Sequence, residues 1–228
     1  MSSVADNLCR VHEAIAAACQ RAGRSADAVR LVAVSKTMEA EIVRQAFDAG
    51  QRLFGENREQ ELNAKAPVLP GEAEWHFIGH LQRNKVRPVL AHARCIHSVD
   101  RLSLLHRIDA LAAAEGVCPR VLIQVNVSGE DSKFGLPPAD AEAVLEASLA
   151  MDHVDCRGLM TMAPFGAQSA DLHRYFADLR DLRDRLNDRL GVELTELSMG
   201  MSADYPEAIA EGATLVRIGS AIFGSRGT

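Results

Sequence analysis

Apolar positions divide the chain into one long helical stripe followed by eight short runs. Val4, Leu8, Val11, Ile15 and Cys19 recur at helical spacing. Ser3 and Asp6 have the spacing of a capping box and Gly23 supplies a stop, so an amphipathic helix opens the chain. After it, apolar runs at 30–36, 51–55, 75–79, 95–99, 120–127, 156–162, 193–199 and 214–220 predict strands. Helical stretches at 39–49, 101–115, 139–150 and 170–190 lie between them. Alternating strand and helix predicts parallel pairing through right-handed crossovers. Eight such units predict an α/β fold, a (β/α)8 TIM-type barrel with an extra N-terminal helix, as one domain over residues 1–228. An open doubly wound sheet is the structural alternative. No G-x-G-x-x-G follows the first run, which weakens its dinucleotide-binding form.

Composition narrows the class. A length of 228 residues suits one barrel. With 47% hydrophobic but 4% aromatic residues, the core must be aliphatic, as parallel strands prefer. A net charge of −6 argues against nucleic acid and anionic membrane as partners. The segment 178–189 alternates acids with arginines around an apolar stripe of Phe176, Leu179, Leu182 and Leu186, which predicts a solvated barrel helix. Cys9, Cys19, Cys95, Cys118 and Cys156 are odd in number and widely spaced, which predicts free thiols and no zinc site. Asp6, Arg10 and Glu13 interrupt any signal peptide, and no run approaches the roughly 20 apolar residues of a membrane span. A cytoplasmic monomer is the expectation.

Function in such a barrel belongs to the loops after the strands. The first apolar run, Arg30 to Ser35, stops on Lys36. A lysine at a buried strand end is partly desolvated, which favours the neutral amine that attacks aldehydes. Snorkelling of the side chain out of the strand is the bland alternative. The loops after the last two runs, Ser198 to Asp204 and Gly219-Ser220-Ala221, are rich in Gly and Ser, with Ser202 adding a hydroxyl. Such loops admit an anion close to backbone N–H groups, and a short helix from Asp204 to Ile209 would point its N-terminus at it. Arg217 sits inside the eighth run, on the same face as Leu215 and Gly219. A buried guanidinium needs an acceptor, either a ligand or a structural partner such as Glu56 or Asp204. Closure of the barrel sets the eighth strand beside the first. An amine, a donor and a phosphate cradle around one cavity describe pyridoxal 5′-phosphate (PLP). Asn57 either orients a ligand or caps the second helix. His76 and His80 have an i, i+4 spacing but span a strand end, which predicts core histidines and no metal. Lys133, in the loop containing Asp131 and Ser132, is a solvated charge or a second amine able to accept the aldehyde from Lys36 during release.

Several segments resemble one family. They are Val34-Ser35-Lys36-Thr37, Phe54-Gly55-Glu56-Asn57, His76 to Lys85, Gly158-Leu159-Met160, Leu197 to Ser202 with Asp204, and Val216 to Gly224. Together they are similar to the PLP-binding homeostasis proteins, single-domain barrels related to the N-terminal domain of bacterial alanine racemase. The resemblance covers nearly the whole chain and shows no departure at Lys36, Ser202, Arg217 or Gly219. At position 220 the family has Ser or Thr. The resemblance implies a Schiff base at Lys36, phosphate held by Ser202, Gly219 and Ser220, and the pyridine nitrogen held by Arg217. It also implies a role in vitamin B6 balance as a carrier or buffer, with apo PLP-dependent enzymes as recipients and no catalytic residues. An arginine opposite the pyridine nitrogen keeps its proton, leaving the ring a poor electron sink. Alanine racemase tolerates this arginine with a tyrosine base from another domain of a partner subunit. No such domain is expected in a chain ending at Thr228, and the two tyrosines are Tyr175 and Tyr205. The alternatives are a PLP-dependent amino-acid racemase, and a cofactor-free Schiff-base aldolase acting on a phosphosugar.

Overall fold

The computed structural model describes residues 3–130 and 133–224. Eight parallel strands close into a barrel in chain order. They are β1 (Arg30–Val34), β2 (Leu53–Glu56), β3 (Glu74–Phe77), β4 (Ala93–Val99), β5 (Arg120–Gln124), β6 (Asp155–Met160), β7 (Glu196–Met201) and β8 (Leu215–Ile218). The helices are α1 (Val4–Arg21), α2 (Ala40–Asp48), α3 (Glu59–Lys65), α4 (Val86–Leu90), α5 (Leu102–Glu115), α6 (Ala141–Leu149), α7 (Ser169–Leu190), α8 (Tyr205–Ala210) and α9 (Ser220–Phe223). The closed barrel replaces the open-sheet alternative, and all eight predicted strands exist. Seven are shorter or shifted by a few residues, because apolar runs continue into the loops that line the barrel mouth, and β4 starts two residues before the run at 95–99.

The capping box of α1 is present in both directions, Asp6 N–H to Ser3 and Ser3 N–H to Asp6. Its buried stripe is Leu8, Val11, Ile15, Ala18 and Cys19. This helix packs on α8 and α9, which have only six and four residues. It also packs on α2, so α1 completes the outer layer over these two short helices. Asn7 donates to the Ile222 carbonyl at 2.8 Å and Arg24 to the Ile209 carbonyl at 2.7 Å, fixing the helix in place. In α7 the buried residues include Phe176, Leu179, Leu182 and Leu186, as the charge alternation predicts.

Inside the barrel, Val32, Cys95, Leu122, Met160 and Leu215 form an apolar plug. Polar groups share this interior, namely His76, His97, Ser198 and Arg217, each at most 4% exposed. All five cysteines are free. No helix among the described residues is long and apolar enough to cross a membrane.

Candidate functional site

The barrel mouth holds a cavity of about 720 Å3 at the C-terminal ends of the strands. That size lies within the usual range for small-molecule sites. Lys36, Asn57, Ser202, Arg217, Gly219 and Ser220 all line it. The six positions span 185 residues of sequence, and barrel closure brings them together. Strand β8 pairs with β1, Arg217 lying opposite Val32.

Lys36 lies two residues beyond β1 and is exposed. The partial desolvation expected of a strand-end lysine is therefore absent, because burial stops at Ser35. A turn presents the amine instead, with Met38 N–H donating to the Ser35 carbonyl at 3.0 Å. Thr37 in this turn has φ of 65°, the one non-glycine residue with positive φ among those described. A β-branched residue in that region is strained, by about 1–3 kcal/mol. Side chains from β2 and α3 hold the turn from behind. Glu61 accepts the Thr37 N–H at 2.5 Å. Lys65 Nζ donates to the Ser35 carbonyl at 2.8 Å, to Glu56 Oε1 at 2.7 Å and to Glu61 Oε2 at 3.0 Å. Ser35 Oγ donates to the same Glu56 oxygen at 2.7 Å. Burial pushes the Glu56 carboxyl above its ordinary value, opposed by its hydrogen bonds from Lys65 and Ser35. Sequence reasoning missed this clamp. Its one legible trace was Glu61 four residues before Lys65, the spacing of a helical ion pair.

Arg217 is buried at the cavity wall, and burial pushes it down to about 10, with the Asp204 carboxylate opposing the shift. It remains charged at neutral pH. Its Nη1 donates to Ser198 Oγ at 2.6 Å and its Nη2 to the Thr161 carbonyl at 2.9 Å. The suggested ion pair with Glu56 does not form. Glu56 lies on the outer face of β2 and is engaged by Lys65, whereas Gly55 faces the interior, beside Val32. Asp204 contributes its charge but turns Oδ1 to the Met201 N–H at 2.5 Å.

Two glycines shape the mouth by having no side chain. A Cβ on Gly219 would lie 2.9 Å from the Val34 carbonyl oxygen, so β8 enters its loop directly against β1. A Cβ on Gly79 would lie 2.2 Å from the Asn57 carbonyl oxygen. The close approach of these loops seats Asn57. Arg58 is the N-cap residue of α3, so Asn57 does not cap that helix. Among the described residues its Oδ1 is buried without a partner at the cavity wall, an open hydrogen-bonding position for a ligand. The phosphate-type loops are present, with Ser202 and Ala203 after β7 and Gly219 and Ser220 after β8. The leading N–H groups of α9, like those of any helix, lack intrahelical acceptors. The remaining wall is apolar, from Met38, Ile78, Met162, Phe165 and Phe223. Phe165 is 99% exposed and stands at the open side.

The other candidates lie elsewhere. His76 is buried and pairs with His97, not with His80, which faces Asp100 at 3.1 Å and stacks on Phe134. Lys133 is outside the cavity lining, its N–H donating to the Glu130 carbonyl at 3.0 Å. Asp131 and Ser132 of the same loop lie outside the described residues.

Comparison with known proteins then fixes the family. The pattern of the alanine racemase N-terminal domain family matches residues 11–227. A Pseudomonas aeruginosa protein named pyridoxal phosphate homeostasis protein is 47% identical over 228 residues, covering 99% of this chain and 97% of that protein. The chain belongs to the pyridoxal phosphate homeostasis protein family. Among solved structures, PipY of Synechococcus elongatus with PLP bound is 39% identical, with a TM-score of 0.86, over 97% of this chain and all of that one. An alanine racemase from Clostridium difficile matches with a TM-score of 0.71 over 94% of this chain and 59% of its own, at 14% identity, a likeness of fold alone. In this homeostasis-family barrel neither Tyr175 nor Tyr205 lines the cavity. Tyr205 is partly buried and packs on the hydrophobic core at the start of α8.

Proposed function

We propose that this chain binds PLP in the barrel mouth through Lys36 and holds it as a carrier or buffer in vitamin B6 homeostasis, without turning over a substrate. One observation carries the reading. Among the described residues, sixteen line the cavity, and of these only Lys36 and Arg217 are titratable. The described lining thus offers one amine and one fixed cation, and no second acid or base for proton transfer. PLP supplies an electrophilic aldehyde and an electron-withdrawing ring when bound. The residues present fit it. Lys36 would bond the aldehyde carbon, and its strained turn is held from behind by Glu61 and Lys65. Arg217 presents only donors to the ring nitrogen. Asn57 Oδ1 offers its unused hydrogen-bonding position. Ser202, Gly219 and Ser220 would hold the phosphate, and Met38, Ile78 and Met162 would supply apolar wall beside the ring. The names of the relatives and the PLP in PipY support the same assignment.

A racemase would need a second base facing Lys36, and among the described residues the cavity wall has none. Absorbance before and after borohydride, followed by peptide mapping, tests the reading. A yellow protein fixed by borohydride at Lys36 is expected. A colourless protein, or label on Lys65, Lys85 or Lys133 with Lys36 unmodified, would sink it. Deuterium exchange at the α-carbon of a panel of amino acids should not rise far above that with free PLP. Robust exchange abolished by Tyr205→Phe would restore the enzyme.

A further inference from the structure

A file of polar groups runs from Arg217 in the site back through the barrel interior, and its two histidines have no role in the site as described. Glu74, His76, His97, Ser198 and Arg217 form a single hydrogen-bonded file through the barrel interior. Glu74 Oε1 lies 3.1 Å from His76 Nε2. His76 Nδ1 lies 2.8 Å from His97 Nε2, and His97 Nδ1 lies 2.8 Å from Ser198 Oγ. Arg217 Nη1 completes the file at 2.6 Å from the same hydroxyl. Strands β3, β4, β7 and β8 each supply a member, so the file crosses the barrel beside its apolar plug. One end is the half-exposed carboxylate at the start of β3. The other is a wall of the cavity.

The ends dictate the direction of every donor between them. A guanidinium can only donate, so Ser198 Oγ accepts from Arg217. A carboxylate can only accept, so His76 Nε2 carries a proton toward Glu74. Ser198 then donates to a bare His97 Nδ1, and His97 Nε2–H donates to a bare His76 Nδ1. In this arrangement each atom of the file has a complementary partner. The reverse order leaves the Ser198 hydroxyl hydrogen without an acceptor in the file and sets a bare His76 Nε2 against carboxylate lone pairs. Burial holds both imidazoles neutral, pulling His76 below its ordinary value and His97 well below it. The charged groups around the pair are Glu74, Arg30 and Arg120 at one end and Arg217 at the other. The three arginines oppose a further positive charge, and Glu74 alone favours it.

We infer that His97 and Ser198 are positioning residues for Arg217, and that the file holds the guanidinium in one pose for the ring nitrogen of PLP while both histidines stay neutral with the proton on Nε2. The cofactor consequence rests on the function proposed above, but the proton order does not. Protonating His76 would reverse the file as far as Ser198, so the charge state at the barrel floor is coupled to the cofactor anchor.

Nitrogen-15 NMR of histidine-labelled protein, free of PLP, tests the order directly, with His76→Gln and His97→Gln assigning the signals. Two neutral Nε2–H imidazoles persisting below the ordinary histidine midpoint of about 6.5 are expected, and Ser198→Ala should shift the His97 nitrogens. A proton on His97 Nδ1, a cationic imidazole at pH 7, or His97 signals unmoved by Ser198→Ala would overturn the file. So would a stoichiometric zinc ion in the purified protein, because His76, Cys95 and His97 place their ligand atoms within 4.8 Å of one another and a metal would replace the shared proton. In PLP titrations, Ser198→Ala and His97→Leu should bind about tenfold more weakly and move the pH midpoint of the chromophore, with His97→Gln restoring part of the loss. Unchanged affinity and midpoint in both variants would remove the positioning role. Wild-type protein that takes up no PLP would overturn the proposed function and leave the NMR result standing.

Discussion

At the residue scale, the cavity depends on groups that are small or fixed. Gly219 has an ordinary φ of −121°, so its requirement is space and not backbone freedom. In Gly219→Ala the new methyl meets the Val34 carbonyl at 2.9 Å, and neither barrel strand yields easily. The loop carrying Ser220 must move instead. PLP affinity is expected to fall by about tenfold to a hundredfold, with the fold retained, as equilibrium titration and circular dichroism would measure. Arg217 is a different case, since its charge is buried and held by Ser198 and the Thr161 carbonyl. Arg217→Ala should change both the spectrum and the affinity of bound PLP. Unchanged values would make Arg217 a structural cation only.

At the element scale, the turn after β1 is set by α3. Lys65 is the last residue of that helix and links the Ser35 carbonyl to two carboxylates while only 6% of its side chain is exposed. Lys65→Met keeps much of the volume and removes the charge, leaving Glu56 buried and unpaired. Breaking such a buried pair costs about 3–5 kcal/mol. A loss of roughly 6–20 °C in Tm follows for a chain of this size. The carboxyl of Glu56 is already raised, and losing Lys65 raises it further. A raised folded-state value means stability present at low pH and lost as pH climbs through that value. Mild acid should therefore restore part of the variant's stability in calorimetry, and Glu56→Gln in the same protein should make that recovery disappear. Two elements were not legible in the sequence for a related reason. Helices α4 and α9 span five and four residues, too few for a 3.6-residue period to show.

At the scale of the whole molecule, the interior histidines set the acid limit. Both are depressed in the folded protein by burial. Below about pH 6.5 the unfolded chain takes up protons that the folded barrel refuses, so stability is present above that value and is lost as pH falls. The slope approaches about 1.4 kcal/mol per pH unit for each histidine held neutral. Urea denaturation at pH 7.5 and 5.5 should show this decline. His97→Gln should remove about half of the histidine share, and a pH-independent ΔG in the wild type would contradict the neutral pair.

The sequence by itself determined the eight strands, their parallel order and the residues at the barrel mouth. Strands of a closed parallel barrel are covered on both faces, so each one reads as an apolar run that needs no knowledge of its neighbours. Lys36, Ser202, Gly219 and Ser220 follow from counting those runs, because chain connectivity alone sends each loop to the same face. Tertiary structure decided which polar groups meet. His97 and Ser198 are 101 residues apart in sequence and 2.8 Å apart in space, and Arg217 reaches Thr161 across 56 residues. Nothing local to those positions names the partner, so the sequence offered Glu56 and Asp204 to Arg217 on charge alone. Barrel closure sets strand register and facing, and these sent Glu56 outward to Lys65 and turned Ser198 inward to Arg217.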